Sequence, residues 1–323
     1  MKAAVGIRTN NQNLSTKPVK KGFIHNVVKH KTLFIMLAPA VIYYLIFMYL
    51  PMAGIVIAFE NFNYSKGIFA SPWVGFENFK FFFVTGAAKS VTFNTFTYNA
   101  VFLFFNTVFQ IILAIFLSEL ACKYFKKIAQ GMMFLPYFIS WVVVGSFIYN
   151  IFNYEFGSLN TLLRSLNMNP VNVYTNTGVW KYILLAACMW KWVGYGSVIY
   201  LAGIMGINNE LFEASYIDGA SIFQKVRYIT LPSLVPQIVV LTLMHIGHIF
   251  RGDFEMFYQV TGNNPMVYKV TDVIDTYAFR SLTQLQEFGM SASVGLYQSA
   301  LCFVILMLTN YLVKKYQSDY ALF

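Results

Sequence analysis

At 323 residues, with 58% of them hydrophobic, 19% aromatic and only 11% charged, the chain is too apolar for a water-soluble domain. Its formal net charge of +10 would raise nucleic acid as a partner in a soluble protein, but seven of the 23 basic residues precede the first apolar run with no acidic residue among them. That distribution marks a cytoplasmic flank, and no nucleic-acid partner is expected.

The flank, residues 1–32, is a basic cytoplasmic tail carrying Lys2, Arg8, Lys17, Lys20, Lys21, Lys29 and Lys31. A solvated arm and a contact with lipid headgroups are both open readings of it. From Leu33 onward, apolar runs recur at about the twenty-residue length needed to cross a bilayer. They place six spans at roughly 33–59, 97–117, 130–152, 179–204, 237–258 and 293–313. The expected fold class is an all-α membrane protein with six transmembrane helices in one domain over 33–323. The first run is too long for a signal core and lacks a small-residue cleavage site after it, so it is expected to remain as an anchor. Pro39, Pro51 and Pro136 fall inside or near spans and predict kinks. Between the first two spans, SPWVGFENFKFFF (71–83) suits an amphipathic helix at headgroup level, with Trp73 and a run of Phe.

Six spans put both termini on one side, and the basic residues choose that side. The tail, Lys123, Lys126 and Lys127, Lys225 and Arg227, and Lys314 and Lys315 outnumber Lys66, Lys80, Lys89, Arg164, Lys269 and Arg280 by fourteen to six. Both termini are therefore expected in the cytoplasm. Cys122, Cys188 and Cys302 lie in or beside apolar runs without metal or redox spacing and read as buried thiols.

Between spans four and five lies the polar stretch EASYIDGASIFQKVRYITLP (213–232). Asn208 and Asn209 offer an N-cap, Glu210 and Glu213 complement the positive end of a starting helix, and Gly219 interrupts it. A second helical piece is expected from Ala220 until Pro232 stops it. Ala214, Ser215, Gly219, Ala220 and Ser221 are small, so another backbone can approach this surface closely.

Glu213-Ala214-Ser215, three residues, Gly219, nine residues, then Ile229-Thr230-Leu231-Pro232 resembles the EAA signature of permease subunits of binding-protein-dependent ABC importers. Ser215 in place of a second alanine is the one departure, small for small. IDGAS (217–221), with Asp218, resembles the carbohydrate-uptake branch. LAPAVIYYLIFMYLPMAGIVIAFENF (37–62), WVGFENF (73–79) and NPMVYKVTDVIDTYAFR (264–280) resemble the subgroup serving complex-glycan and polysaccharide-derived oligosaccharide import, alginate included.

The resemblance implies the type I ABC importer permease fold and a cytoplasmic coupling loop at about 208–236. In it Glu213, Ala214, Ser215, Asp218, Gly219, Ile229, Leu231 and Pro232 would engage an ATPase. It also implies a second permease subunit, an ABC ATPase dimer that uses ATP and Mg, an extracytoplasmic solute-binding protein, and alternating access. The chain has no phosphate-binding loop of its own and no nucleophile–base or metal-ligand constellation, so no cofactor is expected on it and no enzyme activity. A permease for a peptide or other polar nutrient, and a secondary transporter, are the alternatives.

Two polar features inside spans suggest a translocation pathway. In HIGHIFRGDFE (245–255), an unbroken helix at about 100° per residue would hold His248, Arg251 and Glu255 within a ~60° arc. A stripe of ionisable groups at that depth faces a cavity or a partner, so a sugar path and an interhelical seam both fit. In span four, Lys191 sits among Trp190, Trp192 and Tyr195, whose faces can stack on sugar rings or serve as core and interface residues.

Overall fold

The computed structural model describes residues 29–316, so the basic tail up to residue 28 lies outside the described residues. Two compact units divide at Ala53 and Gly54. In the first, α1 (Lys31–Tyr44) passes through Pro39 and widens into a π-helical turn, Leu45–Tyr49; the 3-10 segment that follows, Leu50–Phe59, contains the division. The widening has a local cause. Pro51 has no N–H and its ring crowds the preceding turn, and just before it the Leu50 N–H reaches back to the Leu45 carbonyl. The predicted kink is thus a change of helical pitch.

The second unit holds α2 (Glu77–Val84), α3 (Ala87–Glu119), α4 (Lys123–Phe138), α5 (Trp141–Phe152), α6 (Ser158–Ser165) and α7 (Trp180–Met205). There follow α8 (Asn209–Ile217), α9 (Ile222–Lys225), α10 (Leu231–Ile246), α11 (Phe254–Val260), α12 (Tyr268–Thr271), α13 (Ile274–Thr283) and α14 (Phe288–Tyr316). Among the described residues the only β-type pairing is an isolated bridge between Glu60 and Trp73. Five helical stretches are long and apolar enough to cross a membrane, and α4 with α5, bent by 90° at Ile139–Ser140, makes a sixth when counted as one span.

Three boundaries differ from the sequence reading. The helix expected over 71–83 forms only from Glu77, because residues 71–76 fold back so that the Val74 and Gly75 N–H groups bond the Phe59 carbonyl. The second span begins at Ala87, after Gly86 in the left-handed region, ten residues before the apolar run. The fifth span is displaced: the continuous helix runs over Ile222–Ile246 instead of 237–258. Pro232 does not stop it. A π turn, Val226–Thr230, precedes that proline, with the Leu231 N–H reaching the Val226 carbonyl, and α10 continues beyond.

α3 and α4 both lie along α7, α5 along α11, and α14 against α13 and α2. One core gathers Trp141, Trp180, Leu184, Met256 and Phe257. A second holds Phe82, Val91, Ile274 and Val294, and a third Leu117, Tyr200, Leu201 and Leu234. Lipid tails are as apolar as these side chains, so close packing is what favours their association. Glycine makes one such approach possible: a Cβ on Gly194 of α7 would overlap the Met133 carbonyl of α4.

Candidate functional site

The first candidate surface is the stretch between α7 and α10. Asn208 accepts the Glu210 N–H at 3.1 Å and opens α8. After Ile217 the chain closes in a Schellman arrangement: the Gly219 N–H reaches the Tyr216 carbonyl at 3.2 Å and the Ala220 N–H the Ser215 carbonyl at 2.9 Å. Gly219 has φ of 69°, a left-handed conformation that glycine adopts without a Cβ clash. Ser221 and Gln224 then form a reciprocal capping box that starts α9.

This turn leaves Glu213, Ala214, Asp218 and Gly219 exposed and buries Ser215, whose hydroxyl donates to the Phe212 carbonyl. Ile217 and Phe223 are each 88% exposed, so the turn displays an apolar knob between charges. Ile229 is half-buried in the π turn, while Leu231 and Pro232 are exposed just after it. Lys225, counted above only as a surface charge, is 4% exposed. Its ammonium lies 4.2 Å from the Tyr216 ring centre, donates to the Tyr216 hydroxyl at 3.2 Å, and sits 4.0 Å from Glu119 at the end of α3. The turn is thereby tied to the end of the 33-residue α3.

The second candidate site is a cavity of about 450 Å³ between α3, α7 and the segment after α10. Cavities of about 300–1,000 Å³ are the size that takes small molecules. α3 lines it with Asn99, Asn106, Thr107 and Gln110; α7 with Trp192, Tyr195 and Tyr200. His245, His248, Arg251 and Asp253 line a third side, formed by the end of α10 and the connection to α11.

There the helix expected over 237–258 is broken. α10 ends at Ile246, α11 starts at Phe254, and residues 247–253 between them are not α-helical. The freed backbone groups find partners elsewhere. Asn99 donates to the Ile249 and Arg251 carbonyls at 2.8 and 3.2 Å, and Gln298 of α14 to the Phe250 carbonyl at 2.8 Å. Asp275 of α13 accepts the Gly252 N–H at 2.7 Å and the Gln298 amide at 2.9 Å. Burial pushes the Asp275 carboxyl above its ordinary value, against those hydrogen bonds. Asp253 accepts the Trp141 indole N–H at 3.0 Å and caps α11 through the Met256 N–H. Irregular backbone next to a membrane span is tolerated where protein groups satisfy it and it borders a cavity, and both conditions hold here.

The break changes the face on which the polar residues lie. Tyr195, His248 and Arg251 line the cavity; Glu255, in the first turn of α11, is exposed and does not. The single helical arc through His248, Arg251 and Glu255 therefore does not form. Trp190 is 47% exposed away from the cavity. Lys191 is buried at the α4–α5 bend, donating to the Ile139 carbonyl with its ammonium 4.7 Å from the Trp141 ring centre. Lys191 does not line the cavity. The α3 amides were passed over in the sequence, although Asn99, Asn106 and Gln110 recur at helical spacing on one face of an otherwise apolar run. Among the described residues no group of three or more His, Cys, Asp or Glu is placed to hold a metal ion.

The chain resembles known transport proteins over nearly its whole length. LplB of Bacillus subtilis is 31% identical across 90% of this chain and 91% of its own. The polygalacturonan/rhamnogalacturonan transport system permease protein YteP of the same organism is 31% identical across 94% of each. A chain from the crystal structure of a bacterial ABC transporter that imports the acidic polysaccharide alginate superposes with a TM-score of 0.81 at 30% identity, covering 91% of this chain and 99% of that one. Residues 110–318 match the family of binding-protein-dependent transport system inner membrane components. This chain belongs to that family: it is a multi-pass membrane permease of the ABC importer class, a transport subunit and not an enzyme.

Proposed function

We propose that the chain is one of two permease subunits of an ATP-driven importer for oligosaccharides or polysaccharide-derived glycans. The observation that carries the cargo is the cavity: side-chain amides of α3 and the rings of Trp192 and Tyr195 of α7 line the same space of about 450 Å³. Sugars are bound by hydrogen bonds to hydroxyls and by aromatic stacking on ring faces, and this lining offers both. The likeness to the relatives above supports the same reading, since relatives' names include polygalacturonan/rhamnogalacturonan and arabinooligosaccharides as cargo.

The turn at 208–236 docks on an ABC ATPase dimer through Ile217 and Phe223 with Glu213 and Asp218 around them. ATP and Mg are used by those ATPase subunits. A second permease completes the pathway, and an extracytoplasmic solute-binding protein delivers the sugar; the alginate transporter is known in complex with a periplasmic protein bound to alginate pentasaccharide. Both termini and the coupling turn face the cytoplasm, a reading supported by the excess of Lys and Arg on that side. The test is ATP-driven uptake of radiolabelled oligosaccharides into proteoliposomes holding the full assembly with its binding protein. Sugar accumulation that requires ATP and the binding protein is expected; accumulation of peptides, or of nothing, sinks the reading.

A further inference from the structure

The charge of the cavity narrows the cargo beyond sugars in general, on the assumption that the oligosaccharide reading holds. Arg251 lies on the broken segment, lines the cavity and is exposed there. Its backbone is fixed, because the Asn99 amide holds the Arg251 carbonyl and its N–H reaches the His248 carbonyl at 2.8 Å. Its guanidinium makes no hydrogen bond or ion pair among the described residues.

The carboxylates that could neutralise it have other duties. Asp253 is taken by the Trp141 indole and the Met256 N–H. Asp275 feels the charge of Arg251 but is taken by the Gly252 N–H and Gln298. His245 and His248 add imidazoles to the same wall, and the α3 wall is lined by uncharged amides. A guanidinium on a cavity wall with no carboxylate bonded to it is available to an anionic ligand. A guanidinium is a planar fork of donors that fits a carboxylate with two parallel hydrogen bonds.

We infer that this cavity is a subsite for a uronic-acid residue of the transported oligosaccharide, with Arg251 binding the sugar carboxylate. Trp192 and the face of Tyr195 left free by Tyr137 border the ring, and the amide oxygens of Asn99 and Gln110, whose NH2 groups are already engaged, accept from its hydroxyls. A neutral oligosaccharide of the same length leaves the guanidinium without its partner and is disfavoured.

The test measures binding to the intact permease–ATPase complex in lipid nanodiscs without the binding protein, so that the delivery protein's own selectivity does not enter. Calorimetry compares tri- to pentasaccharides of galacturonate and mannuronate with their carboxyl-reduced forms. The uronates are expected to bind wild type at least about tenfold more tightly than the reduced sugars, the scale of one charge-assisted hydrogen-bonded contact. Arg251→Gln should remove that difference, and Arg251→Lys should restore part of it, because a point charge replaces the fork. Recovery of each complex at wild-type yield guards against misfolding, and the wild-type comparison stands without any variant. Equal binding of uronates and reduced sugars by wild type, no measurable uronate binding, or an unchanged preference in an intact Arg251→Gln complex overturns the inference. ATP-driven uptake of the reduced sugars by the full assembly would leave the oligosaccharide reading standing while the uronate subsite fell. Failure of every oligosaccharide in that uptake assay sinks the broader reading.

Discussion

Lys191 is 7% exposed, and its ammonium closes the bend between α4 and α5 by bonding the Ile139 carbonyl beside the Trp141 ring. Carbonyls at a helix end lack intrahelical partners, so this lysine satisfies one that α4 leaves behind. Lys191→Met keeps the bulk and strands the carbonyl, a loss of about 1–3 kcal/mol. We expect a lower thermal midpoint of the detergent-solubilised complex by scanning fluorimetry, with uptake per intact complex near wild type; a large uptake defect in a fully stable variant would instead put Lys191 on the sugar path. Three residues on, Gly194→Ala should be worse for assembly, because its Cβ meets backbone rather than the tip of a side chain. The sequence displayed Trp190, Lys191, Trp192 and Tyr195 as one cluster, but neighbours on a helix are about 100° apart and point to different surroundings. Only Trp192 and Tyr195 face the cavity. Which face of an apolar helix meets the cavity is decided by α3 and α4, residues distant in the chain.

The turn between α7 and α10 was legible because its signals are local: the Asn208 cap, Gly219 at the left-handed position, and Ser221 with Gln224 three residues later. Pro232 misled, since proline reads as a stop unless the preceding turn widens, and nothing in the pattern announces a π turn. The break at 247–253 was illegible for a different reason. Its carbonyls are held by Asn99 and Gln298, some 150 and 48 positions away, whereas locally His248, Arg251 and Glu255 fall at helical spacing and read as a continuing helix. Asn99→Leu should therefore unsettle the break from a distance: two carbonyls lose their donor, at about 1–3 kcal/mol for each stranded group. Reduced complex yield together with reduced uptake is expected, and wild-type values for both would show that the break does not depend on this amide. At the coupling turn, Gly219→Val forces a branched side chain into φ of 69°, a strain of at least about 1–2 kcal/mol. Co-purification of the ATPase subunit should fall, or hydrolysis should proceed without uptake. Normal ATPase retention with a normal ratio of uptake to hydrolysis would remove the turn from the coupling path.

Across the whole molecule, five crossing-length helices were readable from apolar length alone, because a bilayer imposes one length on every crossing segment, and the sixth expected span is the bent α4–α5 pair. Five continuous spans and the bent α4–α5 pair give the even count on which the sidedness argument depends. The fourteen-to-six excess of Lys and Arg then argues for a cytoplasmic α3–α4 connection, coupling turn and end of α14. The chain carries its own reporter of that arrangement. Cys122 is exposed between α3 and α4, whereas Cys188 is buried in α7 and Cys302 is half-buried in α14. A membrane-impermeant maleimide should label Cys122 in inside-out vesicles and not in right-side-out ones. On the other side, Met266 is 58% exposed in the connection before α12, so Met266→Cys in a Cys122→Ser background should show the reverse pattern. The α4–α5 pair, α7 and the α9–α10 helix lie between the two positions, and an odd number of crossings carries Met266 to the opposite face. Labelling of both positions from the same face would require an even number, so one of those segments would fail to cross or another would cross in addition. The bent pair is the segment to inspect first: its 90° turn at Ile139 is the geometry of a broken span and equally of a loop that re-enters the face it left. Opposite-side labelling fixes it as a crossing, and with it the placement of the 208–236 turn on the same face as Cys122.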